Sequence, residues 1–313
     1  MSNVRHGAHS ARLGVAQVCA AGVLWGTGGL VVSVLHEREG LGAMTVSAWR
    51  MLLAAAALLA FAAATRHLGA TVALWRAHPV RTTLVGCGTA AYQALYFAAV
   101  LTVGVSVATV VSLGLAPLLA AAWEHARAGS RPSRRQVLVL GMAVGGLVLI
   151  SVSAGHPASA PSGRPVAGLC LAVLAGAVYA ATTVAGHSMA QRGTPIALTT
   201  VATSMGAVAL APFLAVTAWR GEPVGSSDPS SLLLLVYLGV ATMALAYGLL
   251  YAGLRTTSGS AATVATLVEP LSAAALAAVL LGERLPAAGV VGGVLILAAV
   301  VALPAAHEAP AAM

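Results

Sequence analysis

Two ionisable residues, Arg50 and Glu269, lie inside long apolar stretches of the chain. A charged side chain within a bilayer is costly unless it is paired or hydrated, so each position is a candidate binding group. Pro270 follows Glu269 directly, and because a proline lacks the backbone N–H it loosens the helical turn before it. We interpret Glu269 and Pro270 as a polar contact and a hinge at a cavity, with Arg50 holding a carboxylate or pairing with Glu269. The alternative is structural: a fixed ion pair, or an Arg50 side chain reaching toward the interface, that secures helix packing.

Aromatic residues are the second candidate group, and their scarcity, at 4% of the chain, makes their positions informative. Four tyrosines form two pairs whose members are four residues apart, so each pair shares one helix face. A tryptophan and a fifth tyrosine lie at corresponding places in two other apolar stretches. Such rings offer hydroxyls and cation-attracting faces to a cavity, or they pack between helices with satisfied hydroxyls. The candidates are Trp25, Tyr92, Tyr96, Tyr179, Tyr247 and Tyr251.

Patterns for enzymatic and metal chemistry are missing from the sequence. All 16 basic residues are arginines, which excludes a Walker A lysine and Schiff-base chemistry. Cys19, Cys87 and Cys170 lack metal-like spacing and are interpreted as small hydrophobic residues. We therefore expect no enzyme activity, no metal and no cofactor. Hydrogen-bonding candidates remain, although threonine hydroxyls commonly bond back to their own helix: Thr27, Gln93, Thr183, Thr263 and Thr266.

The elements that position these residues are membrane-spanning helices. The chain of 313 residues is 59% hydrophobic and 8% charged, whereas soluble domains carry about 25% charged residues. This composition excludes a soluble enzyme and a disordered chain, and it disfavours a nucleic-acid-binding module. Apolar runs that are long enough to cross a hydrocarbon core of about 30 Å recur along the chain. The predicted spans are 13–35, 41–63, 80–101, 103–123, 136–153, 166–188, 194–218, 231–254, 258–281 and 287–306.

Arginine placement predicts the orientation of these spans. With ten spans both termini share one side, and most arginines lie on that side. The positive-inside rule then predicts a multi-pass protein of the cytoplasmic membrane with both termini in the cytoplasm.

The two halves of the sequence resemble each other. Ala91–Tyr96 reads AYQALY and Ala246–Tyr251 reads AYGLLY. Each is followed by an SxATV motif and then a proline that is a candidate hinge, Pro117 in the first half and Pro270 in the second. A unit of five spans begins and ends on opposite sides of the membrane, so its duplicate is inverted, as in many secondary transporters. The alternative is that any two alanine-rich helical segments look alike.

Several motifs resemble the ten-helix EamA-type members of the drug/metabolite transporter superfamily. They are Leu267-Val-Glu-Pro-Leu271, Leu281-Gly-Glu-Arg-Leu285, Leu24-Trp-Gly26, and Arg50 followed by Met-Leu-Leu. The first repeat departs from the pattern, since Ala116-Pro117 lacks the glutamate and Ser130-Arg131 replaces Glu-Arg.

This resemblance implies an all-α integral membrane protein with ten transmembrane helices in two inverted five-helix repeats. We expect the repeats to cover 14–153 and 166–306, with a linker at 154–165. Two GxxxG patterns, Gly141/Gly145 and Gly289/Gly293, indicate close packing between the last helices of the repeats, with a homodimer as the alternative.

The resemblance also implies a carrier of small metabolites, often an exporter of amino acids or related amphipathic compounds, that works by alternating access. Proton coupling would have to use Glu269, because the first and sixth spans contain no carboxylate; facilitated diffusion and exchange are the alternatives. One rival is an antiporter of sugar-nucleotide or phosphorylated metabolites, which would need a cluster of cations where Arg50 stands alone. The other rival is a membrane scaffold that does not transport.

Overall fold

A computed structural model describes residues 2–103, 105–153, 165–280 and 286–303. The predicted linker up to residue 164, the Gly282-Glu-Arg284 motif and residues 304–306 lie outside these ranges. All regular secondary structure in the described part is helical. The α-helices are α1 (Ser2–Glu39), α2 (Ala43–Ala64), α3 (Leu68–Ala77), α4 (Pro79–Val103), α5 (Val105–Ala128), α6 (Arg134–Ser153), α7 (Pro165–Ala190), α8 (Pro195–Trp219), α9 (Pro229–Gly239), α10 (Ala246–Gly253), α11 (Gly259–Ala265), α12 (Val268–Leu280) and α13 (Ala287–Val301).

The predicted all-α membrane architecture is confirmed. Within the described ranges, 9 spans are long and apolar enough to cross a membrane, and the shorter apolar helix α13 follows them. Two of these spans contain more than one helix: α9 continues through a π-helical segment, Val240–Leu245, into α10, and α11 is followed by α12. The short helix α3 was not predicted, because its ten residues were assigned to a loop between two long apolar runs.

Small residues allow the helices to pack closely in the interior, while many large apolar side chains face the outside. A Cβ placed on Gly86 would lie 2.3 Å from the carbonyl oxygen of Ala202, so α4 and α8 approach closely only because residue 86 is glycine. Val152, Val166 and Val301 are each at least 74% exposed, as expected for side chains that meet lipid. Association inside a bilayer depends on close packing of this kind, because lipid tails are as apolar as leucine.

Helix packing relates the two halves in a reciprocal manner. Helix α7 is the counterpart of α1 in the second half. Helices α4 and α5 of the first half pack against α7, and their counterparts α10 and α12 pack against α1. The pairs α2 with α8, α5 with α11, and α6 with α13 join corresponding helices of the two halves. This arrangement is consistent with inverted repeats related by a pseudo-two-fold axis.

The glycine contact between α6 and α13 differs from the predicted one. A Cβ on Gly146 would lie 2.5 Å from the carbonyl oxygen of Gly292, and one on Gly289 would lie 2.5 Å from Ser153 Oγ. In the described part of the chain, nothing lies within 4 Å of a Cβ built on Gly141 or Gly145. Close packing of the last helices is therefore present, but α6 uses Gly146 for it and turns its GxxxG face elsewhere.

Candidate functional site

Aromatic rings from α1, α4, α7 and α10 meet in the middle of the bundle. Tyr92 of α4 stacks on Tyr179 of α7 with ring centroids 4.8 Å apart and an interplanar angle of 25°. Trp25 of α1 meets Tyr247 of α10 edge-on, with centroids 5.1 Å apart. Since Trp25 corresponds to Tyr179 and Tyr92 to Tyr247 in the internal repeat, the two ring pairs are equivalent contacts in the two halves. Tyr251 extends the cluster, with its centroid 6.1 Å from that of Tyr247.

A very small cavity lies within this cluster. Its volume is about 10 Å³, which is room for roughly one water molecule and far too little for a metabolite. Loading a substrate therefore requires the helices around it to separate. The lining residues are Thr89, Tyr92, Tyr179, Thr182, Thr183, Tyr247, Leu250 and Tyr251.

Arg50 of α2 is a buried cation, with 9% of its side chain exposed. Its Nη2 donates a hydrogen bond of 3.0 Å to Thr242 Oγ1. Its Nε is also buried, and no acceptor for Nε exists among the residues that the structure describes. An unpaired buried N–H of a charged group costs free energy, so this group is available for a ligand acceptor.

Thr242 links Arg50 to the aromatic cluster. Its hydroxyl donates to the carbonyl oxygen of Leu238 at 2.6 Å while accepting from Arg50, and its own carbonyl accepts from Trp25 Nε1 at 2.8 Å. Thr242 lies in the π-helical segment, and such turns are frequent at functional sites. Sequence reasoning missed Thr242, because a π turn in an alanine- and valine-rich helix leaves hydropathy unchanged.

Glu269 lies in the first turn of α12, directly after the interruption between α11 and α12. A Cβ on Gly26 of α1 would lie 2.7 Å from the carbonyl oxygen of Glu269, so the backbone of α1 rests against this turn. The Glu269 and Arg50 charges are close enough to attract each other. Within the described ranges they do not form a direct ion pair at 4 Å or less.

The two predicted hinge prolines have different surroundings. Helix α5 continues through Pro117, whereas the helical span that contains Pro270 is interrupted between α11 and α12. Tyr179 donates a hydrogen bond of 3.0 Å to Thr266 at this interruption. Tyr96 is bonded to Thr109 at 2.7 Å, so its hydroxyl has a packing partner on α5.

Gln93 is a buried amide beside the cluster. It is 6% exposed, and neither end of its amide has a hydrogen-bond partner among the described residues. Helical periodicity places Gln93 on the same broad face of α4 as Thr89, Tyr92 and Tyr96. A buried amide without partners is uncommon, and it offers one donor group and one acceptor to a ligand.

Both ends of the bundle are closed by hydrogen bonds. At the arginine-rich end, Ser260 donates its backbone N–H, at 3.0 Å, and its hydroxyl to the carboxylate of Glu124, joining α11 to α5. At the opposite end, Trp49 Nε1 donates to the carbonyl oxygen of Val224 at 2.6 Å, and Ser231 Oγ donates to Glu39 Oε1 at 2.6 Å. We call this conformation occluded, because hydrogen bonds join the two halves at both ends and the cavity between them holds about one water molecule.

Comparison with known proteins bears directly on this architecture. Residues 12–152 and 166–303 match the EamA-like transporter family. The uncharacterized transporter YwfM of Bacillus subtilis (strain 168) is 28% identical over 289 residues, which cover 92% of this chain and 93% of that protein. A solved crystal structure has the same fold, with a TM-score of 0.75 at 20% identity, covering 92% of this chain and 95% of the other.

Proposed function

The chain belongs to the EamA-like transporter family and is a multi-pass membrane transporter, and we propose that it carries amino acids or related amphipathic metabolites across the cytoplasmic membrane. We propose that it acts as an exporter, works by alternating access and has both termini in the cytoplasm. We also propose that the repeats divide at the proline- and serine-rich segment 154–165. It is not an enzyme.

The buried, partly unsatisfied guanidinium of Arg50 beside the aromatic cavity carries this proposal. A substrate carboxylate would give Nε the acceptor that it lacks in the occluded state. Glu269, near Arg50 but not bonded to it, would take the ammonium group of the same substrate. The rings of Trp25, Tyr92 and Tyr247 would surround the apolar part of the substrate, and their faces attract cations.

The occluded geometry supports alternating access. Contacts between the repeats close both ends, at Glu124 with Ser260 and at Trp49 with Val224, so either set can separate while the other stays intact. Pro270 beside the interrupted span is the proposed principal hinge, and Pro117 in the continuous helix α5 is its counterpart.

The rival functions lack comparable support. An antiporter of sugar nucleotides would have to neutralise at least two phosphate charges. Arg50 is a single cation, and the nearby carboxylate of Glu269 would repel a phosphate. A scaffold would not need an unpaired buried guanidinium. A homodimer stays a prediction, and the proposed mechanism does not require it.

Counterflow into proteoliposomes tests the function. Vesicles that contain the full chain and a high internal concentration of an amino-acid mixture should accumulate labelled amino acids saturably. Arg50→Gln should abolish the accumulation, and Arg192→Gln, an exposed change at the end of α7, should not. If well-folded protein shows no saturable flux of any amino acid or amine, the proposed substrate class is wrong.

A further inference from the structure

A groove runs along the outer face of the first repeat, between α5 and α6 and away from the aromatic cavity. Its volume is about 470 Å³. The α5 wall has residues at i, i+3, i+4 and i+7 spacing, and the α6 wall follows the same periodicity, so each helix contributes one continuous face. The lining residues are Leu118, Ala121, Ala122, His125, Pro132, Val137, Leu140, Gly141, Val144 and Gly145.

The floor of the groove is open because of its glycines. Nothing in the described part of the chain lies within 4 Å of a Cβ built on Gly141 or Gly145. Leu118 is 43% exposed and Val137 is 56% exposed, so the rims face lipid. Between residues 137 and 145 the groove spans roughly 12 Å of helix, at about 1.5 Å per residue, which matches a large part of an acyl chain.

Two arginines flank one end of the groove in the sequence. Pro132, a lining residue, lies in the connection between α5 and α6; Arg131 directly precedes it, and Arg134 follows two residues later. Ser133 and Gln136 cap the first turn of α6 reciprocally, with bonds of 2.7 and 3.2 Å, which holds this connection in place. His125 donates its Nδ1–H to the carbonyl oxygen of Ala121, which fixes the ring against α5.

We propose that this groove binds an anionic phospholipid of the bilayer, with one acyl chain along Gly141 and Gly145 and the phosphate at Arg131 and Arg134. The apolar walls suit a hydrocarbon chain, and the two arginines favour a negative headgroup over a zwitterionic one. Arg127 and Arg135 are engaged elsewhere, with the ring of Trp123 and the carbonyl oxygen of Ala302. The inference is independent of the transported substrate.

Thermal unfolding of the full chain in detergent tests the proposal, with phosphatidylglycerol and phosphatidylcholine of identical acyl chains as probes. Phosphatidylglycerol should raise Tm by about 5 °C more than phosphatidylcholine, as expected for a ligand well above its Kd. Arg131→Gln with Arg134→Gln should remove this difference. Arg76→Gln with Arg81→Gln, exposed changes beside the α3–α4 junction, should preserve it.

A second variant tests the groove itself. Gly141→Leu with Gly145→Leu fills the space of the acyl chain and should abolish the selective shift, although the arginines remain. Equal shifts with the two lipids, or equal losses in the two arginine variants, would overturn the proposal in favour of diffuse attraction. A dimer that the glycine variant converts to monomer, with no selective lipid shift, would assign the groove to a second copy of the chain and likewise overturn it.

Discussion

Arg50 Nη2 and Thr242 Oγ1 are 3.0 Å apart, and this hydrogen bond joins a buried cation on α2 to a π-helical segment of the opposite repeat. The carbonyl oxygen of Thr242 also accepts the indole N–H of Trp25. A single residue thereby holds one proposed charge-binding group and one proposed cavity ring. A substrate carboxylate that draws Arg50 away would loosen this segment, which links binding to helix rearrangement.

Thr242→Val should destabilise the protein, because it removes the acceptor of a buried charged donor. The expected loss in the free energy of unfolding is about 1–3 kcal/mol. Thr242→Ser retains the hydroxyl and should lose much less. Tm in detergent without substrate measures both variants, and equal Tm values for them would contradict the assigned role of the hydrogen bond.

Glu269→Gln should separate recognition of the ammonium group from recognition of the carboxylate. Affinity for an amino acid should fall at least about tenfold, equivalent to roughly 1.4 kcal/mol, because one charge pair is lost. Affinity for the matching carboxylic acid without an amine should change little. Arg50→Gln should weaken both ligands. Thermal-shift titration provides the affinities, and a Glu269→Gln protein that binds the amino acid normally would refute the site.

Gln93→Leu should stabilise the occluded protein and impair transport. Removing a buried amide without partners relieves about 1–3 kcal/mol of desolvation cost, so Tm should rise. The matched control is Gln191→Leu, since the Gln191 amide donates to the carbonyl oxygens of Leu254 and Arg255 and its loss should lower Tm. Parallel measurements of Tm and counterflow test this pairing; a lower Tm for Gln93→Leu would show that the amide is already satisfied.

Adjacent glycines of α6 should respond in opposite directions to alanine. Gly146→Ala brings a Cβ to 2.5 Å from the carbonyl oxygen of Gly292 and should cost about 1–3 kcal/mol by forcing α6 and α13 apart. Gly145→Ala meets open space and should stabilise the helix by about 0.5–1 kcal/mol. The Tm of each variant in lipid-free detergent measures these effects. A change of Tm in the same direction for both variants would contradict the prediction.

The sequence was sufficient for the architecture because a bilayer imposes long apolar helices, and hydropathy detects them directly. The similarity between the two halves of the sequence indicated a repeat. The four-residue spacing of Tyr92 and Tyr96 indicated that their side chains share a helix face, and their ring centroids are 5.9 Å apart. Helix α3 was missed because its ten residues are too short an apolar run to cross a membrane. Its Leu74 side chain, buried to 6% exposure, takes its role from tertiary packing.

The local irregularities were less accessible from the sequence. Pro270 marked a weak point, but the interruption comes just before Val268, where Tyr179 of another helix bonds to Thr266. Glycine spacing could not identify Gly146 as the contact to α13, because Gly141, Gly145 and Gly146 are all available on α6 and only the rotation of the helix selects among them. Whether a buried polar side chain such as that of Gln93 has hydrogen-bond partners depends on neighbours that are distant in sequence.

The interrupted span and the π-helical segment both lie in the second half. In the first half, α4 and α5 are each one continuous α-helix; α4 ends at Val103 and α5 begins at Val105. The halves therefore differ in local helix geometry although they are related by symmetry. We expect the second half to deform more than the first during transport, so that the inward-open and outward-open shapes are not mirror images. Saturated transport rates should then differ between the two directions, while the substrate gradient still sets the direction of net flux.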